Sequence, residues 1–181
     1  MSSGPSSGIS NGTAGAQGSL EQMKAELAAI ANEERLSRSG LISNKFSDKQ
    51  RGKEYGFIRN NGRIFTKNGI NKANFVIDKN GQLHLGNGHS YLAHGEPVQA
   101  AGTIKIGSGG IPRRITNLSG HYQPNVKETV HYLDTMHKNG YISNRTWVDI
   151  YSFDKSKSGY VTKVKTVYSG PYQYLNRRFS K

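Results

Sequence analysis

The sequence predicts an α+β fold: an antiparallel sheet of about five to seven strands, one main helix after Pro124, and an N-terminal helix on a disordered leader. Three observations predict it. Asn61-Gly62 and Asn80-Gly81 are hairpin turn signals set between apolar runs. Asn125 and Glu128 form a capping pattern ahead of Val126, Val130, Leu133 and Met136, which recur at helical spacing. Ser19 and Gln22 form a second capping pattern ahead of Leu20, Met23, Leu27 and Ile30.

Taken in order, residues 1–18 are rich in Ser and Gly and carry no charged side chain, so they bury too little apolar surface to offset ordering entropy. Residues 19–40 read as an amphipathic helix stopped by Gly40; its narrow, alanine-rich stripe suits packing on the domain, a chaperone or a carrier better than a membrane. Residues 41–181 form a basic α+β domain. The stretch 45–63 is basic and broken by glycine, with Tyr55 and Phe57 among the cations, a pattern usable on single-stranded nucleic acid. Strands are expected at Arg63–Thr66, 74–78, 82–85, Val98–Ile106, 111–118, 145–153 and 160–168, with a tight turn at 107–110. Gly140 stands where a helix ends.

With 181 residues and no cysteine, the chain has no disulfide, thiolate nucleophile or Cys-based zinc site, and it can unfold and refold without redox chemistry, which suits secretion in an unfolded state. No apolar run approaches the roughly 18 residues of a membrane span, and no secretory signal pattern is present. The net charge of +13 attracts phosphate polymers and other anionic partners. A phosphate loop, a Gly-x-Ser-x-Gly elbow and a dinucleotide fingerprint are all missing. His131 and His137 lie six apart on one helix, a spacing that does not share a metal-binding face, so no metal is expected. His84 is expected at the surface of its hairpin.

Two glycine-flanked polar clusters stand out. His89-Ser90-Tyr91-Leu92 precedes the strand Val98–Ile106, and Ser119-Gly120-His121-Tyr122-Gln123-Pro124 opens onto the main helix. We read them as two walls of one site. Imidazoles titrate near neutral pH, so His89 and His121 can run acid–base chemistry on a phosphodiester without metal, with RNA supplying its own 2′-hydroxyl. Tyr122 joins them as a catalytic candidate. Lys105, Arg113 and Arg114 are candidates to stabilise phosphate charge, with Ser90, Tyr91 and Ser119 as substrate-binding neighbours. A structural alternative makes His121 and Tyr122 a lock that sets the helix.

The order of Gly86, His89-Ser90-Tyr91-Leu92, Gly95, Val98, Ala101-Gly102 and Ser119-Gly120-His121-Tyr122-x-Pro124 resembles a domain of plant IQ-motif, calmodulin-associated proteins, over residues 63–141. Related-looking modules occur in bacterial toxins and effectors. Gln50-Arg51-Gly52 is only an echo of the calmodulin-binding motif, so calmodulin binding does not carry over. The resemblance implies a domain rather than a reaction. With the uncharged leader it points to a toxin or effector secreted from a bacterium into a host or competitor cell, with an immunity protein or secretion chaperone as partner.

Three functions follow as expectations. The first is a metal-independent ribonuclease using the histidine pair, with no cofactor. The second is an ADP-ribosyltransferase using NAD, with His89, Ser90, Tyr91 and Tyr122 at the cofactor and Glu96 or Asp149 as the acid; the absence of Glu-x-Glu or Gln-x-Glu counts against it. The third is a non-enzymatic basic module that docks on a host protein or nucleic acid, without membrane insertion.

Overall fold

A computed structural model describes the backbone of residues 11–179, with side chains from residue 18 onward apart from Ser37. The chain divides into two units, Met1–Ser39 and Gly40–Lys181. The described part of the first unit is one helix, α1 (Asn11–Arg38). It begins ahead of Ser19, so residues 11–18 are not part of a disordered leader and Ser19 is interior rather than a cap. Once a turn exists, each added residue contributes a hydrogen bond, so propagation runs back through Ala14, Ala16 and Gln17. The rest of the leader, residues 1–10, lies outside the described residues. No described helix is long and apolar enough to cross a membrane.

The second unit is α+β. Its strands are β1 (Lys53–Tyr55), β2 (Phe57–Asn60), β3 (Arg63–Thr66), β4 (Lys72–Asp78), β5 (Leu83–Asn87), β6 (Val98–Ile106), β7 (Pro112–Thr116), β8 (Trp147–Lys155) and β9 (Val161–Pro171). A short helix α2 (His89–Leu92) follows β5, the main helix α3 (Val126–Lys138) follows β7, and α4 (Leu175–Phe179) closes the described chain. Seven strands form one sheet in the order β1-β5-β4-β6-β7-β8-β9, and β2 and β3 form a separate hairpin. Every pair in the large sheet is antiparallel except β7–β8. Parallel neighbours need a long crossover, and α3 supplies it.

The residues explain these elements. Asn61 and Gly62 both adopt positive φ, 51° and 74°, and join β2 to β3 by a two-residue turn. The Asn125 side chain accepts from the Glu128 N–H while the Glu128 carboxylate accepts from the Asn125 N–H, closing the expected box at the start of α3. The helix packs with Leu133, Met136 and Tyr132 buried, and the Tyr132 hydroxyl donates to the Ala101 carbonyl on β6. Phe75, Leu85, Ile104, Ile115, Val148 and Ile150 complete the core between sheet and helix.

One buried amide sets the entry to α3. Asn117 is fully buried just past β7. Its amide nitrogen donates to the Tyr151 carbonyl and the Thr129 hydroxyl, and its oxygen accepts from the Tyr151 N–H. It therefore acts as a missing residue of the β7–β8 ladder and pins the following loop. Removing it leaves both Tyr151 backbone groups without their partner at a half-buried position.

His84 is not a free surface residue. Its ring bridges two carboxylates, Glu54 Oε2 at 2.9 Å and Asp78 Oδ2 at 2.8 Å, joining β1, β4 and β5. Burial lowers the imidazole's affinity for a proton, but the bonds to Glu54 and Asp78 and their charges outweigh it, and the net shift is upward.

Asn117→Ala is expected to lower unfolding free energy by about 3 kcal/mol and Asn125→Ala by about 1 kcal/mol, read from urea titrations. Because the folded state holds the His84 proton more tightly, stability from this bridge is complete below the unfolded value near 6.5 and declines as pH rises through the folded value. A thermal melting series above neutral pH reads this as a slope, which flattens in His84→Gln.

Candidate functional site

The two polar clusters lie near enough for charge interaction between His89 and His121, but no residue of the first cluster lines the groove beside the second. The loop of residues 119–123 is folded on itself: the Ser119 hydroxyl accepts from the Tyr122 N–H and the Gln123 N–H donates to the Ser119 carbonyl. The Tyr122 ring is fully buried, and its hydroxyl donates at 2.6 Å to the Glu96 carbonyl, just ahead of β6. Burial, reinforced by the Glu96 charge, raises its pKa, so the hydroxyl stays protonated. Tyr122 and Ser119 are thus structural; the proton and substrate roles expected of them are not what their contacts support. A phenol sealed in the interior and spent on a backbone carbonyl has no free proton to deliver.

His89 is also interior, 5% exposed on α2, and its Nε2–H donates at 2.7 Å to the Gly102 carbonyl of β6. Burial pushes its pKa down from 6.5 to about 4; the Gly102 bond opposes this and the charge of His121 adds to it. At neutral pH the ring is therefore uncharged and one nitrogen is occupied. It is not placed to act as the acid of a catalytic pair. Close approach makes this possible: a Cβ on Gly102 would lie 1.8 Å from the Thr116 carbonyl oxygen, so only glycine fits where β6 meets β7 at this point.

His121 differs. It lines an open groove of about 560 Å3 with Phe46, Asp48, Gly120, Gln123 and Tyr160. Asp48 Oδ1 lies 3.3 Å from His121 Nε2, close enough for charge attraction but not aligned as a hydrogen bond. Phe46 meets the imidazole edge-on at 5.6 Å and lies 5.3 Å from the Tyr160 ring. Among the described residues two buried side-chain polar atoms lack a hydrogen-bond partner, His121 Nε2 and Gln123 Oε1, and both residues line this groove. Gln123 sits at a positive φ of 44°, an uncommon conformation for a side-chain-bearing residue and one found at binding sites. Its amide nitrogen donates to the carbonyls of Gly120 and Gly159, tying the loop to the tip of the β8–β9 hairpin.

The remaining candidates disperse. Ser90 is buried, with its N–H on the Gln50 side chain. Tyr91 is 44% exposed, and its ring covers Gly52. Arg114 is engaged by Asp149 Oδ2 at 2.6 Å, and Asp149 also accepts from Ser169. Glu96 pairs with Lys79 at 2.8 Å. Both acids expected to serve NAD transfer are thus held by other side chains. Lys105 lies three residues beyond Gly102 along β6, about 10 Å of strand, and together with Arg113 lines a different hollow. Phe46, Asp48 and Tyr160 escaped sequence reasoning because they come from segments far from the second cluster, and Gln123 was visible there only as a member of that cluster, without a role. Among the described residues no group of three or more His, Asp or Glu gathers to hold a metal.

The fold and groove define a basic α+β domain with an aromatic, partly polar cleft. No family model, curated protein sequence or solved structure matches the chain.

Because His89 binds its proton less tightly when folded, its contribution to stability is expected to be complete above pH 6.5 and to fall as pH drops from there through about 4, by up to about 3 kcal/mol. Urea unfolding at several pH values checks this, and in His89→Gln the acid slope should shrink.

Proposed function

We propose that the second unit is a binding module for single-stranded RNA, in the setting of a secreted toxin or effector, and that bases enter the groove beside His121. The observation that carries this reading is the groove itself: Phe46, Tyr160 and His121 line it with aromatic rings, and His121 Nε2 and Gln123 Oε1, which lie beneath its surface, have no hydrogen-bond partner. Stacking on such rings contributes about 1–3 kcal/mol per base and tolerates sequence variation. Positive charge supports it. From Gly40 to Lys181 there are 22 Lys and Arg against 8 Asp and Glu, a net of +14. Ion pairs of Lys or Arg within this unit include Lys79–Glu96 and Arg114–Asp149. The surplus favours a polyanion and predicts strong salt dependence.

Binding is favoured over cleavage by a histidine pair because His89 is neutral and bonded to backbone. The toxin or effector setting rests on the sequence pattern of the two clusters and on the cysteine-free, basic composition.

Fluorescence anisotropy with a labelled single-stranded RNA tests the reading. Phe46→Ala and Tyr160→Ala should each weaken binding roughly tenfold, and affinity should fall steeply with added salt. Unchanged affinity in both variants would remove the groove from the account. The RNA should remain intact in the presence of EDTA; cleavage that depends on His121 but not His89 would replace binding with single-histidine catalysis.

A further inference from the structure

We infer that the hollow at the opposite end of β6 is a phosphate-binding site, built by Lys72, Lys105 and Arg113. The inference deepens the RNA reading by naming where a phosphate group is held, but it stands on separate residues. Lys72 on β4 and Lys105 on β6 are direct cross-strand partners. Their Cβ atoms are therefore about 5 Å apart on one face, and like charges directly opposite are destabilising. The next strand does not relieve this. Lys105 is also register partner to Arg114, whose charge is already matched by Asp149.

Arg113 is brought in by an irregularity. The β6–β7 register slips after Lys105, with Lys105 opposite Arg114 but Ile106 opposite Pro112. Arg113 is left over opposite no residue, and such bulges re-aim a side chain. It lines the same hollow as Lys72 and Lys105, a space of about 700 Å3 whose other lining residues are Asn71, Ser108, Ile106 and Gly107. No carboxylate lines it. Three cations converge with amide and hydroxyl groups and without an acid. This arrangement raises the free energy of the protein alone and is relieved by an anion. Arginine and lysine together suit a phosphate group, the guanidinium as a two-pronged donor and the ammoniums as point charges.

The phosphate can belong to an RNA backbone or to a small phosphorylated compound. Thermal melting in inorganic phosphate and in pyrophosphate, at ionic strength matched with chloride, separates site binding from general screening. Wild type should melt at higher temperature with either anion. Lys105→Ala and Arg113→Ala should abolish that increase, and Lys138→Ala, outside the hollow, should keep it. In chloride alone, Lys105→Ala should be no less stable than wild type, because it removes one of two facing charges. An absent increase in wild type, or one that persists in both hollow variants, overturns the site whatever RNA does. RNA affinity of the same variants then distinguishes the sources. A drop assigns the site to the RNA backbone; unchanged affinity with the anion effect lost assigns it to a small phosphate compound. Failure of Phe46→Ala and Tyr160→Ala to weaken RNA binding would bear on the groove alone.

Discussion

The hydrogen bond from the Tyr122 hydroxyl to the Glu96 carbonyl holds the functional half of this unit together. It is the direct link between two segments more than twenty residues apart, and it seals a large aromatic ring beneath them. An unpaired hydroxyl at that depth would cost several kcal/mol, so the loop can bury Tyr122 only where this carbonyl is available. Once the tyrosine is fixed, its neighbours have no choice of side. Tyr122 points inward, and His121, the residue before it, lines the groove.

The same constraint separates the two histidines by environment. His89 hangs beneath β6 from the Gly102 carbonyl, dry and neutral, while His121 stays near solvent with Asp48 beside it. They remain close enough for the charge of one to disfavour charge on the other. What looks in the sequence like a symmetric pair is a structural post and a surface contact. The surface is divided as well: the groove is lined by aromatic rings with Asp48 as its acid, and the hollow at Lys72, Lys105 and Arg113 offers positive charge.

Much of the architecture was legible. The bounds of β3 and β6, the hairpin through Asn80-Gly81 and the box at Asn125 follow from local chemistry, in which turn residues and caps act within a few positions of themselves. β1 and β2 were not legible, because in the run from Lys45 to Arg63 charged side chains mask the alternation of short exposed strands. α2 is too short to show a period. The parallel pairing of β7 with β8 depends on where α3 crosses, a tertiary fact. The site was legible only in outline: the nearness of the clusters is visible from their spacing around β6, but Arg114 finds Asp149 thirty-five residues away, and Phe46 and Tyr160 reach His121 from opposite ends of the unit. Nothing local in the chain encodes those meetings.

The sheet ends in two open edges, and they are protected differently. β1 is only three residues long, whereas β9 runs for eleven and carries Val161 and Val164 at the surface beside Lys163 and Lys165. Lysines on a long edge keep a second copy from adding its own strand there. The charge that draws in anions therefore also disperses the molecules from one another.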